Sequence, residues 1–172
     1  EGEDSLMISK KIASVITSVM VFCCVLGVSL TNVKADDSAP KSVDGSYLTS
    51  ADSSTGYTPK NNERGKHLMD GQCSISKTGT KRIYAYGSTT ANHTVDVVAV
   101  IVYVDQYNES DGKWHQIDAF SKKVENDYYS AISKSIQVDR GYYYRVHASH
   151  IVCMAGSPDE ETCSFTDGIL VP

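Results

Sequence analysis

From residue 71 onward the chain repeatedly alternates large apolar and small polar side chains with a period of two, the spacing of a pleated strand with one face buried. The clearest stretch is residues 141–153 (GYYYRVHASHIVC), in which Tyr142, Tyr144, Val146 and Ala148 fall on one face and Tyr143, Arg145 and His147 on the other. The first set is the candidate core. Residues 82–90 set Ile83, Ala85 and Gly87 against Tyr84 and Tyr86, and residues 129–138 set Ile132, Ile136 and Val138 against Ser133, Ser135 and Gln137. Residues 95–107 (VDVVAVIVYVDQY) are apolar on both faces and rich in β-branched residues, as a central strand would be. Short strands at Cys73–Lys77, 114–122 and 162–171 complete the set. Turn clusters separate them at Thr78-Gly79, Asn108-Glu-Ser-Asp-Gly112, Asp139-Arg-Gly141 and Ser157-Pro-Asp-Glu-Glu161. About seven such strands predict an all-β chain, a single Ig-like antiparallel β-sandwich over residues 65–172.

The amino-terminal third is different. Lys10-Lys11, an apolar run over residues 12–30 and a Val33-Lys34-Ala35 ending have the form of a secretory signal peptide, expected to span residues 1–35, with translation starting at Met7. The small-residue ending favours this over a retained anchor, although the run is close to bilayer length. Residues 36–64 are dominated by Ser, Asp, Thr, Gly, Asn and Pro and are expected to be a flexible linker, because little apolar surface is present to offset ordering entropy. The expected destination is outside the cell, secreted or loosely held at the surface, with no membrane span once the signal is removed.

Composition narrows the function classes. A net charge of -5 lacks the basic stripe that nucleic-acid binding requires. Eleven Tyr against three Phe and one Trp suits half-wet sheet faces, since the ring is apolar and its tip polar. Cys73, Cys153 and Cys163 remain after the leader carrying Cys23 and Cys24 is discounted, an odd number. Cys153 and Cys163 flank the last loop and are the candidate disulfide; direct pairing would set Ile151 opposite Phe165.

The Tyr142-x-Tyr144-Arg145-Val146-x-Ala148 pattern resembles strand F of fibronectin type III and related sandwiches. More broadly, Arg64-Gly65, Gly87-Ser-Thr89-x-Ala91, Gly112-x-Trp114, Gly141-Tyr-Tyr-Tyr-Arg-Val146 and Thr166-x-Gly168-Ile169 resemble a family of small secreted proteins of unknown function from Gram-positive gut Firmicutes. That resemblance implies a secreted β-rich domain with no assigned activity.

No catalytic or metal constellation is present. His147 and His150, three apart on a strand, point to opposite faces and cannot chelate one ion. The 108–112 cluster lacks calcium-loop spacing, and Ser149 beside His150 is adjacency on alternating faces, with no Gly-x-Ser-x-Gly elbow. No cofactor is expected. The positive feature is an aromatic and cationic face formed by Tyr103, Tyr143, Arg145, His147 and Phe165, residue types enriched in recognition surfaces. The expected function is a non-catalytic extracellular binding or adhesion module for a glycan, cell-wall polymer or protein. A structural or matrix component of the cell surface is the alternative; a secreted hydrolase or small toxin has no feature of its own to support it.

Overall fold

The computed structural model describes residues 44–59 and 65–172, and the expected signal peptide lies outside them. The described chain is all-β. Eight strands follow in order: β1 (Leu48–Thr49), β2 (Ser53–Tyr57), β3 (Leu68–Gly79), β4 (Arg82–Asn108), β5 (Lys113–Gln137), β6 (Tyr142–Cys153), β7 (Glu160–Phe165) and β8 (Gly168–Val171). They form one hydrogen-bonded sheet in the order β1-β8-β6-β4-β3-β2, with β5 also on β4 and β7 also on β6. The all-β expectation agrees. The arrangement differs from two separate sheets, because β4 and β5 run through both layers of a sheet that curls on itself.

Two expected strand pairs are in fact single strands. Residues 82–90 and 95–107 join as β4, and residues 114–122 and 129–138 join as β5, with a register shift between the pairs Thr90↔Tyr129 and Val95↔Asp127 and, beside it, Asn126 at φ 54°. The first half of β4 pairs with β3 and the second half with β6, while β5 follows it along its whole length. The register shift between Thr90 and Val95 moves the alternation of β4 by one residue, so that Ile83 and Ala85 before it and Val100, Val102 and Val104 after it all face the same interior. Cys73, Ile75, Ile83, Ala85, Val100, Val102, Val104, Ile136, Tyr144, Val146, Ala148, Ile169 and Val171 form the main core. A methyl placed on Gly87 would stand 2.6 Å from Val102 and 3.0 Å from Val100, so the two halves of β4 touch across this core. Each fully buried Val there contributes at most about 1.5–3 kcal/mol.

The expected core face of β6 is corrected at one position. Tyr144, Val146 and Ala148 are buried, but Tyr142 is 45% exposed, because it lies at the strand end beyond the core. Tyr144 donates its hydroxyl to the Asp139 carbonyl five residues upstream, the local closure of the tyrosine corner in sandwich domains.

Residues 44–59 were expected to be tether and instead supply β1, parallel to β8, and β2, antiparallel to β3. Their polar sequence hides this because main-chain hydrogen bonds at a sheet edge need little side-chain burial. Gly56 matters to the fit, since any Cβ there would overlap the Phe165 backbone carbonyl.

The outer face of the β2-β3-β4-β5 layer follows from the same register. Ser53, Thr55 and Tyr57 of β2 stand beside Ser76, Ser74 and Gln72 of β3, then Tyr84, Tyr86 and Ser88 of β4, then Ser135, Ser133 and Ala131 of β5.

Candidate functional site

Three neighbouring strands carry most of the expected binding residues into one row. The register sets Tyr103 of β4 against His147 of β6, and His147 against Phe165 of β7. Their rings stack at centroid distances of 4.6 Å and 5.6 Å. One row along, Arg145 lies opposite Asp105, and its Nε donates to Asp105 Oδ2 at 2.9 Å. The same oxygen lies 3.1 Å from His147 Nδ1. Arg145 also donates to the Gly45 carbonyl at 2.8 Å and lies over the Trp114 ring at 4.5 Å. Four of the five expected residues are thus in one cluster.

That cluster is packed rather than open. Tyr103 and Asp105 are buried, and the Arg145 and His147 side chains keep 16% and 12% of their surface. Burial opposes ionisation of Asp105, yet the hydrogen bond and charge of His147 and the charge of Arg145 outweigh it and hold the carboxyl below its ordinary range. Here an ion pair fastens Gly45, β4 and β6 together. Asp105 was missed in the sequence, though an acid inside an apolar run must find a cation and Arg145 shares its face.

Tyr143 lies at the open end. Together with Tyr107, Tyr142, Arg140, Gly141 and the 108–110 turn it lines a cleft of about 320 Å³. Both loops that form it are shaped by their sequence: Asn108 Oδ1 accepts from the Ser110 amide and hydroxyl, and Gly112 and Gly141 take φ +66° and +83°. Arg140 donates through Nε to the Pro172 carbonyl at 2.6 Å, which fixes the guanidinium at the rim. Tyr107 is braced by Trp114, 5.1 Å between centroids. Rigid phenol rings beside a cation can grip a polar ligand with flat apolar faces.

The remaining polar clusters hold elements together. His150, on the opposite side of β6 from His147, is buried with Nδ1 3.0 Å from Thr89 Oγ1 and Nε2 2.8 Å from Ser164 Oγ. Thr89 donates to the Ala99 carbonyl, so its oxygen accepts from His150 Nδ1–H and Ser164 donates to Nε2. Burial pulls the His150 pKa from 6.5 to about 3, with the Ser88 carbonyl opposing, and the ring is neutral. At the start of β3, Glu160 accepts from the His67 and Leu68 amides, while His67 reaches His93 at 3.1 Å and Ser157 at 3.2 Å. Among the described residues no group of three His, Cys, Asp or Glu is placed to hold a metal ion.

The disulfide expectation is corrected by register. Cys163 lies opposite Ser149, four residues from Cys153, and no disulfide joins the two. Four strand residues are about 13 Å, beyond the reach of a bridge. The assumed pairing is displaced because β7 begins at Glu160, opposite Val152, so that Phe165 meets His147 instead of Ile151.

No curated protein matches the chain. A family model does, over residues 33–167, which takes in β1 to β7 and the rows described above. The chain therefore belongs to DUF6147, a family of unknown function.

Proposed function

We propose that the chain is a secreted, non-catalytic binding or adhesion module that works outside the cell. Export is supported by the basic, apolar and small-residue succession of residues 10–35. The binding reading rests on one observation, the open cleft in which Tyr107, Tyr142 and Tyr143 converge with Arg140 at the β4–β5 and β5–β6 turns. Ligand sites are typically concave, aromatic-lined and furnished with a few placed polar groups. The remainder of the expected aromatic face supports the cleft from behind through Trp114.

The test is a screen of the full chain against glycans, mucin, cell-wall polymers and host surface proteins, repeated with Tyr142→Ala and Arg140→Ala. Saturable binding that weakens in both variants supports the assignment. Binding that both leave unchanged removes the cleft from the function. Export is checked separately by amino-terminal sequencing of the protein in the medium, which is expected to begin at Asp36.

A second reading, acyl transfer, has the Ser157–His67–His93 chain of contacts behind it, a nucleophile, base and orienting group in sequence. It is the weaker reading because nearby amides that would stabilise an oxyanion are already committed, Ser157 N to the Met154 carbonyl and Ala155 N to Asp96. Hydrolysis of a model ester that disappears in Ser157→Ala would reverse this preference.

A further inference from the structure

The outer face of the β2-β3-β4-β5 layer has a composition that the cleft does not explain. At its twelve register positions it carries Ser, Thr, Tyr, Gln and Ala and no ionisable acid or base other than Tyr, in a chain of which 22% is Asp, Glu, Lys or Arg. Charge is instead concentrated on the first half of β5, where Lys113, Asp118, Lys122, Lys123, Glu125 and Asp127 follow one another. Exposed sheet faces are normally kept soluble by charged side chains. This one exposes phenol rings: Tyr57, Tyr84 and Tyr129 are 40%, 39% and 41% accessible.

The platform is rigid. Tyr129 follows on β5 in the next row, and its hydroxyl lies 2.9 Å from that of Tyr86, which fixes two rings diagonally across β4 and β5. β3 and β4 are hydrogen-bonded on both sides, so the rows cannot shift against one another. Strands about 4.8 Å apart and same-face rows about 6.8 Å apart give twelve positions an extent of about 14 Å in each direction.

From this we infer that the β2-β3-β4-β5 face binds a neutral polysaccharide laid flat across Tyr84, Tyr86 and Tyr129. Sugar rings offer apolar C–H faces to stack on the phenols, and their hydroxyls exchange hydrogen bonds with Ser74, Ser133 and their neighbours. An uncharged ligand meets no buried charge to desolvate, and Tyr loses little rotamer freedom on binding. An anionic polymer would find one cation, Arg82 in the row beyond Tyr84, with Asp70 in the Tyr129 row opposing it, and a protein partner would not find the aliphatic centre usual in interfaces. The inference concerns a different surface from the cleft and stands without it.

The experiment is co-sedimentation of the full chain with insoluble cellulose, β-1,3-glucan and granular starch, with a polygalacturonate gel as the anionic comparison. Retention is expected on at least one neutral polymer and is expected to be insensitive to salt. Tyr84→Ala/Tyr86→Ala is expected to weaken it at least about tenfold through two lost stacking contacts. Ser133→Lys, which places a charge on an exposed strand and leaves the core untouched, is expected to weaken it comparably and guards against a folding defect in the double variant. Lys122→Ala, an exposed position on the first half of β5 outside both this face and the cleft, is expected to change nothing. The inference is overturned by no retention on any neutral polymer, by retention equal in the face variants, or by binding confined to the anionic gel. A concentration-dependent dimer that Ser133→Lys dissociates, without retention on the neutral polymers, would assign the face to a second copy instead and equally overturn it.

Discussion

Acid should destabilise this protein well before its carboxylates titrate, and His150 is the reason. In the folded chain the ring is buried between Thr89 and Ser164 with its pKa pulled from 6.5 to about 3. The unfolded chain therefore takes up a proton on this side chain below about pH 6.5, while the folded chain does not until about pH 3. Stability is consequently full above pH 6.5 and is lost as pH falls through that value. Between pH 7.5 and 5 the linkage amounts to about 2 kcal/mol from this residue. Against a total of about 5–15 kcal/mol that is a measurable fraction. Urea unfolding followed at half-unit pH steps should show the midpoint falling by about 1 M over that range. His150→Gln keeps a donor and an acceptor at the site but does not titrate. Its overall stability is lower, yet its pH slope should be flatter than that of the unaltered chain by the same 2 kcal/mol or so. The other histidines are common to both proteins and cancel in the difference. Equal slopes in the two proteins would refute the neutral, buried assignment.

Other consequences of the structure can be measured the same way. Asp105→Asn removes the acceptor shared by Arg145 and His147 and should cost about 2–3 kcal/mol in urea unfolding, less than a fully buried pair because Arg145 keeps some solvent. With its carboxyl held low, Asp105 contributes stability above its unfolded pKa of about 3.9, so in acid the variant and the parent should converge as pH falls below that value. Gly56→Ala should cost about 2–3 kcal/mol or detach β2 from β3, read as lost amide protection over residues 53–57 in hydrogen exchange. Cys73, buried with its thiol pushed up to about 12, should resist alkylation at pH 8 in the folded chain and react at the ordinary rate in urea.

Much of the sheet could be read from residue types, and what could not has identifiable causes. The period of two assigned Ile83, Ala85 and Gly87 to one side and Tyr84 and Tyr86 to the other, as the structure has them. The expected strands stop at residue 90 and resume at 95, and stop at 122 and resume at 129, leaving gaps that contain Asn92 and Asn126. At the first, the His67 carbonyl receives the Asn92 amide and the Lys66 carbonyl its side chain, so the ladder continues. At the second, β5 runs on through Asn126, whose left-handed φ of 54° is a conformation Asn tolerates, while the extra residues of the register shift lie on β4 between Thr90 and Val95. β1 and β2 escaped notice because their attachment is made by the backbone, which no side chain reports. For the binding face, residue type located Tyr103, Arg145, His147 and Phe165 on one side but not their depth. Whether an aromatic row is surface or interior depends on what crosses it, here Gly45, which lies a hundred residues away in the chain.

The continuity of β4 and β5 has a consequence for how the molecule can change over time. Each strand lends one half to each layer, so neither layer is a unit that could be gained, lost or exchanged alone. Inserting a single residue near Val95 would reverse the facing of everything after it, sending Val98, Val100 and Val102 outward while leaving the Tyr84–Tyr86 side as it was. Length variation among homologous chains should therefore gather at the 109–112 and 139–141 turns and between β6 and β7, and avoid both long strands. The same sharing of two strands by both walls should make unfolding a single cooperative event.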